Sequence, residues 1–270
     1  MNHPAELAIN QYLEDATSGK STMSEETITQ IGTDVMDAMR RQFGGGKGRD
    51  EFRLRMSNIG KPTCQLWFAK NKPETALPKP TTFVMNMLLG DIVEAAFKGI
   101  IKEAGVPYED EDNFITLELG GETIKGSYDL VMDGALDDVK SASDWSYRNK
   151  FASYDTLAKS DPFGYVGQLA GYTKATGKKV GGWWVVNKAN GNIKYVPADG
   201  LVLDDEIAKL EETVKTVNDN KFERCFEAVP ETFRGKESGN MILNDNCKFC
   251  DFRFSCFDID EQPSKVSQAK

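Results

Sequence analysis

The sequence predicts one α/β domain, in which helices flank a mixed central β-sheet, preceded by a helical N-terminal extension. Helix-like and strand-like segments alternate along the chain, which is typical of sheets that contain parallel strands. Two tight-turn dipeptides, Asp133-Gly134 and Asn190-Gly191, each separate two strand-like runs. The 270 residues are 40% hydrophobic and 28% charged, as in an ordinary globular protein. The predicted boundaries are 1–45 for the extension, 46–260 for the sheet-containing domain and 261–270 for a disordered polar tail.

Each element has a local reason in the sequence. Residues 5–16 and 24–42 have helical periodicity. A third helix begins after Thr81-Thr82, and a fourth begins at Asp161-Pro162 and ends before Gly177, since Pro favours a first helical turn and Gly the position after the last. Strands complete the pattern, together with a final polar helix over 203–220. The strands are predicted over 113–119, 122–132, 135–142, 180–187 and 192–196.

The charge and composition exclude several classes of protein. The chain carries 33 Lys and Arg and 42 Asp and Glu, a net charge of −9, so we do not expect it to coat nucleic acid stoichiometrically. Its one histidine, His3, lies in a terminus expected to fray, which excludes a Ser-His-Asp triad and a His-rich zinc site. The sequence has no bilayer-spanning apolar run and no secretion signal, so we expect a cytoplasmic protein without a membrane partner.

The most informative segment is the predicted hairpin around Asp133-Gly134. With a two-residue loop, Asp129 of the first strand lies opposite Asp138 of the second, and Lys140 emerges on the same face. Opposed like charges repel, and a divalent cation such as Mg²⁺, which prefers oxygen ligands, would compensate them. A lysine beside the cation can orient or deprotonate a bound water. Asp137 points to the apolar face and is not assigned to the site. A solvated hairpin with scattered charges is the alternative.

Two of the predicted helices carry further candidates. Glu94 follows Gly90 by four residues and therefore lies on the same helical face, as an acid within a largely apolar segment. Gln168 and Tyr172 are likewise four residues apart on the fourth helix. An ordinary helix acid and a half-buried Gln–Tyr pair are the alternative interpretations of these two patterns.

Four cysteines have the pattern of a metal site. Cys247, Cys250 and Cys256 are clustered, and Cys64, far upstream, can complete a tetrahedral set of thiolates. Their chemistry does not separate Zn²⁺ from an iron–sulfur cluster, and either would join the N-terminal region to the C-terminus. Reduced cysteines that are buried as small hydrophobic residues are the alternative. Cys225 stands apart and is predicted to be structural.

In chain order, these residues resemble the PD-(D/E)XK nuclease superfamily, in particular its RecB-like exonuclease branch with a C-terminal iron–sulfur cysteine cluster. AddB nuclease domains and CRISPR-associated RecB-like exonucleases belong to this branch. The resemblance covers residues 57–257 and implies a restriction-endonuclease-like core. Six motifs carry it, and their order is more specific than any one of them: Cys64, Gly90-x-x-x-Glu94, Gly126-x-x-Asp129, Asp138-Val139-Lys140, Gln168-x-x-x-Tyr172, and Cys247-x-x-Cys250 followed by Cys256.

The resemblance implies catalytic roles for the hairpin residues. Asp129 and Asp138 would bind Mg²⁺ or Mn²⁺, with the carbonyl of Val139 as a further ligand. Lys140 would position the attacking water and stabilise the charge that develops on the phosphate. The reaction would be metal-assisted hydrolysis of a phosphodiester bond.

The resemblance also implies roles for the remaining candidates. Glu94 stands at a position that is a histidine in many CRISPR-associated members and an acid in others, so the number of metal ions stays open. Gln168 and Tyr172 would orient DNA and the active site. A [4Fe–4S] cluster, with zinc as the alternative, would be bound by four residues: Cys64, Cys247, Cys250 and Cys256.

We therefore expect a metal-dependent DNA exonuclease that acts on single-stranded or frayed ends in recombination, repair or phage genome processing. The sequence contains no helicase motif, so a helicase or recombination partner would have to unwind the DNA. Trp145 and Tyr147 are candidates for base stacking and Arg148 or Lys150 for phosphate contact, against core packing and a solvated loop. Two alternatives stay open: a non-catalytic iron–sulfur or zinc DNA-binding or assembly module of the same fold, and a zinc-stabilised endonuclease of the same superfamily.

Overall fold

The computed structural model describes residues 3–44, 52–219, 221–258 and 265–267. The α-helices are α1 (Pro4–Thr17), α2 (Glu25–Phe43), α3 (Met56–Ile59), α4 (Thr63–Asn71), α5 (Phe83–Glu103), α6 (Asp144–Arg148), α7 (Tyr154–Lys159), α8 (Tyr165–Thr176), α9 (Leu203–Asn218) and α10 (Arg253–Phe257). The strands are β1 (Phe114–Leu119), β2 (Glu122–Ser127), β3 (Leu130–Met132), β4 (Ala135–Ala142), β5 (Lys179–Asn187), β6 (Ile193–Pro197), β7 (Val229–Phe233), β8 (Lys236–Ile242) and β9 (Lys265–Ser267). None of the described helices is both long and apolar enough to cross a bilayer.

The central sheet has four strands in the order β3–β4–β5–β6. β4 and β5 are parallel, and the chain between them includes α6, α7 and α8. β3 and β6 are the outer strands, and each pairs antiparallel with its neighbour. Two smaller antiparallel sheets, β1–β2 and β7–β8–β9, lie outside the central one. The predicted mixed sheet is thus confirmed.

Helices cover both faces of the central sheet, because alternate strand residues point to opposite faces and both sets are largely apolar. One face packs against α1 and α5 through a buried cluster that includes Ile9, Phe97, Leu130, Met132 and Val139. The other face packs against α3, α8 and α9 through a cluster that includes Met56, Leu136, Leu169, Trp183 and Leu210. The predicted α/β class is therefore confirmed.

The first helix packs directly on the central sheet. Glu6 of α1 accepts a hydrogen bond from the backbone N–H of Tyr195 in β6, with 2.5 Å between Oε1 and N. The ring of His3 lies against Trp184 and Tyr195, with centroid distances of 5.1 and 4.6 Å. His3 Nδ1 also accepts a hydrogen bond from Ala5 N–H at 3.2 Å and so caps α1. The expectation that His3 frays is wrong, because these aromatic contacts hold it.

The strand predicted over 122–132 is interrupted in the structure. It divides at Tyr128-Asp129 into β2 and β3, and β2 pairs with β1 in a separate two-stranded sheet. At the far end of the chain, Lys265–Ser267 form β9 beside β8, within the tail that was predicted to be disordered. Residues 261–264 and 268–270 of that tail lie outside the described residues.

Helix α8 begins four residues later than the sequence predicts, at Tyr165 rather than Asp161. The carboxylate of Asp161 instead accepts hydrogen bonds from the backbone N–H groups of Gly164 and Val166, at 3.1 and 2.9 Å. Asp161 thus satisfies donors of the first turn that have no partner within the helix. The helix ends before Gly177 (φ +65°), as predicted.

Candidate active site

The hairpin predicted around Asp133-Gly134 forms with a two-residue loop. Both loop residues have positive φ, +50° and +74°, as a type I′ turn requires. The register pairs Leu130 with Asp137, so the next position outward sets Asp129 against Asp138. Asp137 points to the other face, where its carboxylate accepts a hydrogen bond from the Gly182 N–H at 2.8 Å. The predicted register is therefore confirmed.

Asp129 occupies the break between β2 and β3 and faces the open edge of β4. Its Oδ2 accepts a hydrogen bond from the backbone N–H of Val139 at 2.7 Å. The N–H and C=O groups of one strand residue point to the same edge, so the carbonyl of Val139 also faces Asp129. A carboxylate and a backbone carbonyl thus meet where β3 no longer pairs with β4.

Asp138 and Lys140 lie on the α8 face of β4 and form a buried ion pair. Lys140 Nζ is 2.7 Å from Oδ1 and 2.5 Å from Oδ2 of Asp138. Lys140 is the ion-pair partner of Oδ2 as well, but neither Lys140 nor any other described residue makes a well-directed hydrogen bond to this oxygen. A buried carboxylate oxygen in this state keeps lone pairs for a cation, which is a donor arrangement that fits Mg²⁺ or Mn²⁺.

The site has more carboxyl groups than its one lysine can compensate. Burial, together with the charges of Asp138 and Glu94, raises the pKa of Asp129 to about 8. Burial also raises the pKa of Asp138, although Lys140 opposes this effect. Burial disfavours the charge on Lys140, but Asp138 and Asp129 outweigh it and raise its pKa. Lys140 is therefore a cation at neutral pH, suited to stabilise negative charge rather than to remove a proton.

Glu94 reaches the site from α5. Its negative charge contributes to the raised pKa of Asp129 and of Asp138. It also pairs with Lys98 at 3.0 Å, and Lys98 lies 3.5 Å from Asp110. Sequence reasoning missed Lys98, although its spacing of four residues from Glu94 on one helix was a readable signal.

Tyr172 and Gln168 approach the site from α8. Tyr172 is buried, and burial raises its pKa to about 12. Gln168 interacts with the Tyr172 hydroxyl, and the charges of Asp129 and Lys140 act on that hydroxyl. The two α8 residues therefore lie on the side of α8 that faces the hairpin, and their roles stay a prediction.

We expect Gly126→Ala to destabilise the protein, because Gly126 lets α3 and α8 approach β2. A Cβ at this position would lie 2.7 Å from Met56 Cβ and 2.9 Å from Tyr172 Oη. Overpacking of this kind costs about 1–3 kcal/mol in the free energy of unfolding, which urea denaturation measures. Gly32→Ala in α2 is the control: no atom lies within 4 Å, so it should stabilise by about 0.5–1 kcal/mol. Equal stability of Gly126→Ala and the parent protein would contradict the close packing.

Tyr165 is the principal site residue that sequence reasoning missed. Its ring centroid lies 5.0 Å from Lys140 Nζ and 4.7 Å from Lys150 Nζ. Lys150 also lies 3.8 Å from Asp161, so the loop after β4 reaches the active-site side of α8. Tyr165 precedes Gln168 by three residues and Tyr172 by seven, which is the spacing of one helical face and would have identified it.

The other residues considered for DNA contact have different surroundings. Trp145 is exposed on α6, where its ring is open to solvent. Tyr147 packs against the core, and Lys194 Nζ lies 4.3 Å from its ring centroid. Arg148 forms an ion pair with Asp144 at 3.0 Å. Tyr147 therefore has the packing role that was one of its two predicted alternatives.

The four predicted cluster cysteines line a single pocket between α4, the Asp245–Cys247 turn and α10; they are Cys64, Cys247, Cys250 and Cys256. Burial is the main cause that raises the pKa of Cys247 to about 12 and that of Cys250 to about 11. Four thiols around one pocket are a donor set that fits Zn²⁺ or an iron–sulfur cluster. Across the described ranges, no set of three or more His, Cys, Asp or Glu side chains already has the arrangement of a metal site.

The sequence-based prediction that Cys225 stands apart from the other cysteines is wrong. Its Sγ accepts a hydrogen bond from the Cys64 backbone N–H at 3.0 Å, and the two thiols interact. Cys247 and Cys256 are near enough for their charges to act on Cys225. The two segments are 161 residues apart in sequence, so no local pattern signals this contact.

Comparison with known proteins adds little to this geometry. No family model matches the chain, and no curated protein matches it. Four chains of solved structures match, among them one described as "Crystal structure of SSO0001". That chain is 12% identical, with a TM-score of 0.45 over 90% of this chain and 99% of the other. Likeness at this level assigns neither a family nor an activity.

Without metal, we expect the free energy of unfolding to fall as the pH rises from about 4 to about 8. The folded pKa of Asp129 is raised from 3.8 to about 8, so the folded state binds more protons than the unfolded state in that range. The slope from this carboxyl is at most about 1.4 kcal/mol per pH unit. Urea denaturation in EDTA at several pH values should therefore give a shallower slope for Asp129→Asn. The exposed Asp155→Asn is the control, and parallel curves for Asp129→Asn and the parent would contradict the assignment.

Proposed function

We propose that this chain is a Mg²⁺- or Mn²⁺-dependent deoxyribonuclease of the PD-(D/E)XK, RecB-like type. It would hydrolyse phosphodiester bonds at single-stranded or frayed DNA ends. The observation that supports this proposal most is the convergence of Asp129, Asp138 and Lys140 in one buried site whose carboxylates outnumber its cation. Burial of three charged side chains carries a desolvation cost, which a solvated hairpin with scattered charges would avoid.

In this proposal, the residues of the site have separate roles in metal binding and in charge stabilisation. Asp129, Asp138 and the Val139 carbonyl would provide the oxygen ligands for a divalent ion. Such an ion would supply an activated water and neutralise charge on the scissile phosphate. Lys140, which stays cationic, stabilises the charge that develops on the phosphate oxygens. Glu94 adds a further carboxylate from α5.

The cysteine pocket has a separate role in the proposal. Four cysteines would bind a [4Fe–4S] cluster, with zinc as the alternative, and so hold α4 and α10 together. Recombination, repair or phage genome processing is the proposed setting, in which a helicase or recombination partner supplies unpaired DNA ends. The proposed ligands are Cys64, Cys247, Cys250 and Cys256.

The decisive experiment is cleavage of single- and double-stranded DNA, labelled at either end, by the purified protein with Mn²⁺, Mg²⁺ or EDTA. We expect single-stranded and frayed substrates to be degraded with Mn²⁺ or Mg²⁺ and to stay intact in EDTA. The order in which the two labels are released gives the polarity. DNA that is bound but never cleaved under any metal condition would contradict the proposal and favour a DNA-binding or assembly module.

A further inference from the structure

A row of aromatic side chains connects the cysteine pocket with the active-site lysine. The rings of Phe249 and Phe163 have a centroid distance of 6.1 Å, and those of Phe163 and Tyr165 a distance of 5.6 Å. Tyr165 in turn lies 5.0 Å from the Nζ atom of Lys140. We call Phe249, Phe163 and Tyr165 the aromatic strip.

The outer part of the aromatic strip is open to solvent. Phe249 is 68% exposed and Phe163 is 41% exposed. Exposed apolar side chains that adjoin one another on a protein surface are a feature of binding sites. A hydrogen bond joins the two chain segments that carry these rings: the Ser160 hydroxyl donates to the side-chain oxygen of Asn246 at 3.0 Å. The exposed rings therefore lie on two turns that are fixed to each other.

Positive charge lies beneath and beside the aromatic strip. Lys150 Nζ is 4.7 Å from both the Phe163 and the Tyr165 ring centroids, and it makes no hydrogen bond with any described residue. Gly60, next to Lys61, packs against Gly164, which follows Phe163 in the chain. Burial lowers the pKa of Lys61 and of Lys150, although Asp251 opposes the effect on Lys61 and Asp161, 3.8 Å from Lys150 Nζ, opposes it on Lys150. An anion bound along the strip would further stabilise both cations.

We propose that the aromatic strip binds the unpaired nucleotides of single-stranded DNA, whose bases stack on Phe249 and Phe163 while the backbone leads towards Lys140. Exposed aromatic faces next to cations are the combination by which proteins bind single strands without reading the sequence. Duplex DNA does not fit, because its bases are already stacked on one another. This inference rests on the proposed nuclease function for the direction of the strand, but its binding test does not depend on cleavage.

The test is the affinity of the full chain for fluorescently labelled oligothymidylate of about 16 nucleotides, measured by anisotropy in EDTA so that no cleavage occurs. We expect Phe249→Ala and Phe163→Ala each to raise Kd roughly tenfold, as the loss of one base–aromatic stack does. Phe249→Trp should restore the affinity, because it keeps an aromatic face. Phe114→Ala on β1 is the matched control, since that ring is 63% exposed and lies outside the strip. Circular dichroism confirms that each variant folds.

Each outcome decides the inference. Unchanged Kd in both strip variants, no measurable binding by the parent chain, or tighter binding of the matching RNA oligonucleotide would overturn it. Quenching of 2-aminopurine fluorescence by the parent chain, and not by Phe249→Ala, would support direct stacking. If the strip variants lose affinity but the parent never cleaves DNA, the strip stands and the nuclease proposal fails. If the parent cleaves DNA and the strip variants keep full affinity, the strip fails alone.

Discussion

Lys140→Ala is expected to abolish metal-dependent DNA cleavage, with a loss of at least about 10²-fold in rate. In the proposed mechanism Lys140 is the cation that meets the phosphate, and its Nζ lies 2.7 Å from Oδ1 of Asp138, a proposed metal ligand. The measurement is the rate of release of label from single-stranded DNA in Mn²⁺. Lys174→Ala, an exposed lysine on α8, is the control and should cleave at the parent rate.

The same substitution also has an effect on stability that separates misfolding from lost chemistry. Removal of Lys140 leaves Asp138 buried without its partner, which costs about 3–5 kcal/mol when the carboxylate stays charged. Mn²⁺ should recover part of this cost in Lys140→Ala, because a bound ion stabilises the folded state by mass action. Urea denaturation with and without Mn²⁺ measures this recovery. A folded Lys140→Ala variant with full cleavage activity would refute the catalytic assignment.

Cys250→Ser is expected to lose most of its bound iron, from about four atoms per chain in the parent protein. Cys250 lines the pocket with three other cysteines, and a serine hydroxyl is a poor ligand for this kind of centre. The melting temperature should fall as well, because the proposed centre would link α4 to α10. Anaerobic purification, visible absorption and iron and zinc analysis measure the content.

Cys225→Ser is the matched control for the cluster assignment. The Sγ atom of Cys225 accepts a hydrogen bond from the backbone N–H of Cys64, but Cys225 is not one of the four predicted ligands. We expect this variant to keep its iron and its visible absorption. Unaltered metal content in Cys250→Ser would contradict the cluster. A colourless parent with stoichiometric zinc would replace the iron–sulfur assignment by the zinc alternative.

The carboxylate hairpin could be predicted because its register depends on two adjacent residues. An Asp-Gly loop of two residues fixes which positions face each other, and the alternation of side chains then places Asp129, Asp138 and Lys140 on one side. The sequence could not show that the strand breaks at Tyr128-Asp129. There the Asp129 side chain accepts the hydrogen bond of the Val139 N–H, in place of a partner on a continuous strand.

The remaining contacts depend on tertiary packing between segments that are distant in sequence. Cys225 reaches Cys64 because the segment after α9 folds back against α4, and Phe249 reaches Phe163 because the C-terminal segment folds back against the loop before α8. Neither contact has a local period or a turn signature. Tyr165 is different, because its spacing from Gln168 places both residues on one helical face. The helix was predicted to begin at Asp161, and the sequence did not show that Tyr165 is its first residue.

Helix α1 covers part of the outer strand of the central sheet. β6 is an outer strand of the central sheet, and Glu6 occupies its Tyr195 N–H group. An outer strand with free backbone donors is a template for pairing with another chain. A version of the protein shortened past α1 would present that template, so oligomers built strand to strand, and finally precipitation, would follow from the deletion.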